Sequence, residues 1–312
     1  MRNTYQAETS VREQPQNDNQ AKVTTSGNPF LIVLSLFSLY LIWGGTYLGM
    51  RIGLEGFPPF LMASVRFLAA GSLLYAVLRL RGQAAPTRAQ WIGSAIVGTL
   101  LLVGGNGGVA FSEQWVASGL AAVGLAAIPL WTALFSGLWG RWPTRIECLG
   151  LGIGFVGVIL LNLGNGMWTN PLGAIALLFA AISWALGSAW SRHISLPPGL
   201  MSSAAQMLVG GGVLLVLSLG LRERTPNLAV GQSLWAIAFL IIFGSLIAFS
   251  AYGYLLRHVR PALATSYAYV NPMVAVGLGV LLAGERLTLL ELVAIAVTLT
   301  GVGLVTLGKG RV

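Results

Sequence analysis

Residues 234–256 read LWAIAFLIIFGSLIAFSAYGYLL, a run without a single charge. A helix rises about 1.5 Å per residue, so about 20 such residues cross the roughly 30 Å hydrocarbon core of a bilayer. The run is therefore long enough to span, and it is not alone. Working outward, the same criterion picks out roughly 30–50, 60–78, 90–112, 115–139, 145–164, 172–191, 200–221, 262–283 and 289–308. The sequence thus predicts an all-α integral membrane protein with ten transmembrane helices. The connections are very short, so neighbouring helices are expected to run antiparallel.

Composition agrees. Of 312 residues, 55% are hydrophobic and 9% charged, against about 25% charged in a soluble domain. So few charges cannot coat an apolar core of this size, and lipid is the natural solvent; the mean hydropathy is +0.78. The net charge of +9 does not point to nucleic acid. Its basic residues stand in ones and twos between apolar runs, without interleaved aromatics. The single cysteine, Cys148, allows no internal disulfide and is expected to be a small buried residue. No metal site is expected either, because His193 and His258 are too far apart for zinc-like spacing. Residues 1–28, rich in Gln, Asn and Thr, predict a disordered polar tail on the cytoplasmic side, and the first apolar run is too long for a cleaved signal.

Basic residues orient the chain. With a cytoplasmic N-terminus, thirteen of the 18 Lys and Arg fall in inside segments. Four (Arg51, Arg222, Arg224 and Arg286) fall outside, and Arg66 lies within a helix. The positive-inside rule then places both termini in the cytoplasm of a cell (inner) membrane.

The chain also repeats itself. WGGTYLGMR at 43–51 aligns with WALGSAWSR at 184–192, and PPFLMAS at 58–64 with PPGLMSS at 197–203. SGLAAVGLAAIP, ending at Pro129, aligns with PALATSYAYVNP, ending at Pro272. Gly140, Thr144, Glu147 and Gly157 align with Gly284, Thr288, Glu291 and Gly301. The order is conserved between the halves and the offsets stay between 139 and 144. The sequence therefore predicts two units, 29–164 (helices 1–5) and 171–308 (helices 6–10). Five helices is an odd number, so the second unit enters the membrane from the opposite side. Inverted repeats recur in secondary transporters, with the substrate near the midplane.

With these motifs in view, the chain resembles a known family. WGGTYL at 43–48, PPFLMASVRF at 58–67, GNGGVAFSEQWVASGLAA at 105–122 and Pro129 are similar to the EamA-type drug/metabolite transporter superfamily, nearest the YedA-like exporters. The resemblance covers about residues 30–308. It implies ten helices, a central cavity between the halves, and export of small organic solutes, often amino acids or related metabolites. A channel or lipid scramblase of the same architecture is the first alternative. A membrane-embedded enzyme is the second, and no HExxH, paired intramembrane Asp or Ser/His arrangement supports it.

Candidate site residues follow from depth and chemistry. Arg66 lies about 10 Å below the outer surface, where a charge must face protein or water. It is a candidate clamp for an anion or carboxylate, or else a snorkelling or structurally paired cation. Glu113, near the same face, is read first as an ordinary exposed loop acid, and otherwise as a candidate coupling carboxyl for protons and a partner for Arg66. Trp43, Tyr47, Asn106, Trp184, Tyr267 and Asn271 offer aromatic and polar contacts for an amphipathic metabolite. Pro129 and Pro272 are expected mid-helix, where each removes a hydrogen bond and forms a gating kink. Glu147 and Glu291 suit helix N-termini and are read as structural. Glu285 and Arg286 are read as solvated. The GxGxxG-like glycines at 150–157 lie in an apolar span, so close helix packing is expected rather than a nucleotide loop. Small-residue faces would allow a homodimer. No cofactor is expected.

Overall fold

The computed structural model describes residues 27–116, 121–122, 124–161, 171–283 and 289–307. Most of the expected tail 1–28 lies outside the described residues, as does the 284–288 turn with Gly284, Glu285, Arg286 and Thr288. Every regular element among the described residues is helical. Six helices are long and apolar enough to cross a membrane: α1 (Pro29–Gly53), α2 (Pro59–Leu80), α3 (Arg88–Ser112), α6 (Pro171–Trp190), α7 (Leu200–Gly220) and α8 (Gly231–His258). Between and after them lie the shorter α4 (Leu125–Gly137), α5 (Arg145–Leu161), α9 (Tyr267–Ala283) and α10 (Leu289–Leu307).

Local chemistry sets the helix starts. Pro29 and Pro59 begin α1 and α2, where a missing N–H is no loss. The Phe60 and Leu61 amides donate to the Glu223 carboxylate at 3.1 and 2.8 Å, so the connection after α7 caps α2. Thr87 and Gln90 form a capping box on α3. Glu147 accepts from the Thr144 amide at 2.8 Å and stabilises the start of α5, as expected of an acid there.

Glycine governs how closely these helices approach. A Cβ on Gly301 of α10 would lie 2.3 Å from the Gly154 nitrogen of α5, and one on Gly157 would lie 2.3 Å from Thr298 Oγ1. The glycine pattern at 150–157 is thus a backbone-to-backbone seam between α5 and α10. That face is occupied within the chain and is not free for a second copy. Elsewhere α2 packs along α7, α3 along α6, and α1 against α8 and α9.

Three expectations are corrected. Pro129 is not inside an unbroken α-helix: after helical residues 121–122 and 124 comes a 3₁₀ turn, Leu125–Ala127, and Pro129 lies in the first turn of the α-segment Ile128–Gly137. No i−4 bond is lost where the ladder is only starting. The span 262–283 is interrupted at 265–266, between the single turn Pro261–Ala264 and α9; Pro272 does lie inside α9. Cys148 is exposed, because it sits on the outward face of α5 three residues from its start.

Candidate functional site: a central cavity with a cationic wall

A narrow cavity, with about 40 Å³ of water-accessible space, lies among α1, α2, α3, α4, α6 and α9. Six residues singled out in the sequence line it: Trp43, Tyr47, Arg66, Asn106, Trp184 and Tyr267. Asn271, the seventh, is fully buried one turn beyond Tyr267 and is not a wall residue. It lies beside the Tyr47 hydroxyl, and neither amide atom makes a well-formed hydrogen bond. Leu125 and Ile128, which flank the start of the α4 segment, complete the wall near Pro129.

Arg66 is 3% exposed. Its Nε donates to Ser245 Oγ at 2.8 Å and its Nη1 to Asn106 Oδ1 at 3.2 Å. Both partners are neutral, so they orient the guanidinium without cancelling its charge. The expected pairing with Glu113 is not formed. No hydrogen bond reaches either Glu113 carboxyl oxygen, although the side chain is fully buried. Instead, Arg51 Nη1 donates to the Glu113 main-chain carbonyl at 2.6 Å. The reason is position: Glu113 caps the C-terminus of α3, where helix carbonyls have no partner of their own and attract a cation.

The aromatic residues form one cluster. Trp43 meets Trp184 edge to face at 5.4 Å and Tyr267 at 4.7 Å. Trp184 Nε1 donates to the Tyr252 hydroxyl at 3.1 Å, and that hydroxyl is 2.5 Å from Ser188 Oγ. Trp43 Nε1 donates to the Gly244 carbonyl at 3.1 Å. Edge-to-face pairs of this kind favour defined ring positions.

The backbone explains the convergence. Three helices carry π-helical stretches, Leu39–Trp43 in α1, Thr99–Gly107 in α3 and Leu240–Phe249 in α8. Trp43 ends the first, Asn106 lies in the second, and Gly244 and Ser245 lie in the third. Such widened turns are frequent at functional sites. Sequence reasoning missed Ser245 and Tyr252. They lie seven residues apart, two turns along one face of α8, and a polar pair at that spacing in an uncharged span was the available signal.

Beyond the cavity, at the end where α3 stops, a vestibule of about 1170 Å³ is lined by Arg51, Glu55, Glu113, Glu223 and Arg224 among others. Glu113 therefore sits between the vestibule and Arg66. The opposite end is tied across the two sequence halves. Arg260 Nη1 pairs with Glu147 Oε1 at 2.7 Å, and Trp139 stacks on His193 at 4.8 Å. Within the second half, Arg192 donates to the Val259 carbonyl. Its guanidinium pKa is lowered to about 10, first by burial and then by the neighbouring Arg141.

Comparison with known proteins adds the context. The family description "EamA-like transporter family" matches residues 30–163 and again residues 171–307. The chain is 49% identical over 276 residues to the "Uncharacterized inner membrane transporter YedA" of Escherichia coli (strain K12), covering 88% of this chain and 90% of that protein. It is 28% identical to the "Uncharacterized transporter YdfC" of Bacillus subtilis (strain 168), covering 87% and 89%. A solved crystal structure shares the fold at a TM-score of 0.72 and 20% identity, covering 88% of this chain and 97% of its own.

Proposed function

The chain belongs to the EamA-like transporter family, and from that premise we propose that it is a secondary carrier exporting small amphipathic organic metabolites by alternating access. Its relatives are membrane transporters rather than enzymes. The observation that carries the reading is Arg66, a buried cation with neutral partners, opposite the Trp43–Trp184–Tyr267 cluster in one cavity. That pairing suits a solute with an anionic group and an apolar or aromatic body, as amino acids and related acids have. Some drugs share that chemistry.

Alternating access asks for two halves of opposite sense, 29–164 and 171–308, with ten helices in all. Support comes from packing. If the halves exchange, α1 becomes α6 and α8 becomes α3. The α1–α8 contact then maps onto α6–α3, while α2–α7 and α5–α10 map onto themselves, as a two-fold interface requires. The π-helical stretches of α3 and α8 begin at Thr99 and Leu240, 141 residues apart (240 − 99). That offset falls within the range of the sequence repeat. Both termini lie in the cytoplasm on this reading, and the vestibule faces outward.

Glu113 is the coupling group in this mechanism. A buried carboxyl without a donor, between vestibule and cavity, can take up a proton from outside and exchange it against the solute. The test is untargeted metabolite profiling of medium from cells overexpressing the protein, beside Arg66→Gln and Glu113→Gln at equal membrane levels. Accumulation of a small set of solutes with the unaltered protein alone supports the reading; an unchanged medium in every case sinks export. Saturable exchange between preloaded vesicles separates a carrier from a channel or a scramblase.

A further inference from the structure

A second space, about 500 Å³, lies outside the central cavity, between α3 and α6, with Phe60 of α2 and Leu217 of α7 at its rim. One end lies toward the vestibule, where Phe60 and Phe111 stack at 5.7 Å. From there it runs along α6 from Leu172 to Ser183, and along α3 from Phe111 to Thr99. At about 1.5 Å per residue the eleven steps from Leu172 to Ser183 span roughly 16 Å. One leaflet of a hydrocarbon core about 30 Å thick is roughly 15 Å. The groove is thus one leaflet deep and ends near the bilayer midplane.

Its chemistry is apolar throughout its length. Leu172, Ile175 and Phe179 are exposed on its edge, while Gly104, Gly108 and Ala176 leave its floor without bulk. At the other end, beside Thr99, the Ser183 hydroxyl donates to the Leu100 carbonyl at 2.8 Å, so its proton is not offered to a ligand. There is no charged residue in the lining. Such a groove has no means to hold a headgroup, a peptide or a hydrated solute at depth. Because α3 and α6 cross the membrane, the matter that meets the groove is hydrocarbon.

We propose that this groove is a binding site for one acyl chain of a phospholipid in the leaflet on the vestibule side. The site has a consequence for the cavity, since the two share a wall. Gly105, Asn106 and Val109 of α3, with Ala180 and Trp184 of α6, face the cavity from the same turns whose other faces line the groove. An acyl chain there supports, from the lipid side, the helix pair that carries Asn106, the partner of Arg66. The inference rests on the membrane-spanning helices and not on the transport reading, so either can fail alone.

The experiment is photolabelling of the whole protein in phosphatidylethanolamine/phosphatidylglycerol vesicles containing a trace of phosphatidylcholine with a mid-chain diazirine, followed by peptide mapping. Adducts are expected on residues 99–111 and 172–183 at several-fold the level on the lipid-facing surface of α5 around Leu149 and Val156. Val103→Trp and, separately, Ala176→Phe fill the groove and should each remove that excess while leaving the α5 level unchanged. Two variants guard against one failing to fold, which thermal melting in detergent reports. Equal labelling of groove and α5, or an excess that persists in both folded variants, overturns the site. So does cross-linking between copies through residues 172–183 with no lipid adduct there, which would make a second chain the occupant.

Discussion

Arg66 is held by two neutral groups, which leave its charge uncancelled. Ser245 takes Nε and Asn106 takes Nη1, so both flanks of the guanidinium are fixed before any solute arrives. A hydrogen bond to a charged group is worth about 1.5–3 kcal/mol, and about 1.4 kcal/mol is tenfold in affinity. Arg66→Gln is therefore expected to weaken binding of anionic solutes by roughly 10- to 100-fold, read as a raised half-saturation concentration in vesicle uptake. Arg66→Lys should not restore it, since a lysine offers a point charge without the planar fork that meets Ser245 and Asn106 together. Ser245→Ala keeps the charge and loses one support, and a smaller loss in the same assay is expected. The depth and charge of Arg66 were legible in the sequence. Its partners were not, because Asn106 and Ser245 are far apart in the chain and meet only when α3 and α8 flank α2.

At the scale of elements, the α5–α10 seam is a contact where glycines bring two helix backbones together. Gly301→Val would place a branched side chain against the Gly154 backbone, and neither helix can yield without parting from the other. Overpacking of this kind costs about 1–3 kcal/mol, occasionally more. A melting temperature several degrees lower in detergent is expected, while Gly152→Ala, which meets open space, should leave it unchanged. The glycine pattern itself was legible, since a close-packed apolar helix face needs small residues. The π-helical stretches were not. Nothing in the hydropathy of 99–107 or 240–249 distinguishes a widened turn from a regular one, because both bury the same residues. The choice is made by side chains such as Trp43, whose indole takes the Gly244 carbonyl. Pro129 teaches the same point. A proline marks a break in the hydrogen-bond ladder, and whether that break is a kink or a helix start depends on the residues before it.

For the whole molecule, the end opposite the vestibule is tied by Glu147–Arg260 and Trp139–His193, each linking one sequence half to the other. If the halves move against each other, these ties must part. Glu147→Gln with Arg260→Gln is then expected to raise access to the cavity from that end, measured as faster thiol labelling of Val109→Cys in a Cys148→Ser background. Unchanged labelling would mean that the ties do not gate. Cys148 itself, exposed near the start of α5, reports orientation. With cytoplasmic termini, an impermeant maleimide should label it in inside-out vesicles and not in intact spheroplasts; the reverse result inverts the topology.

Membrane residence and the positions of most spans are properties of the sequence alone. They depend on composition and on period, and a bilayer imposes its thickness on every span independently of the others. Seven residues for a solute site could be named as well, because a charge or an amide at membrane depth is costly wherever it stands. Only the tertiary structure decided which of them share a wall and which, like Asn271, stand behind it. It also decided that Arg51 binds the Glu113 main-chain carbonyl and that no hydrogen bond joins the Glu113 carboxyl to Arg66. These choices are set by angles between helices and by the turn of each helix about its axis, and no single span carries that information.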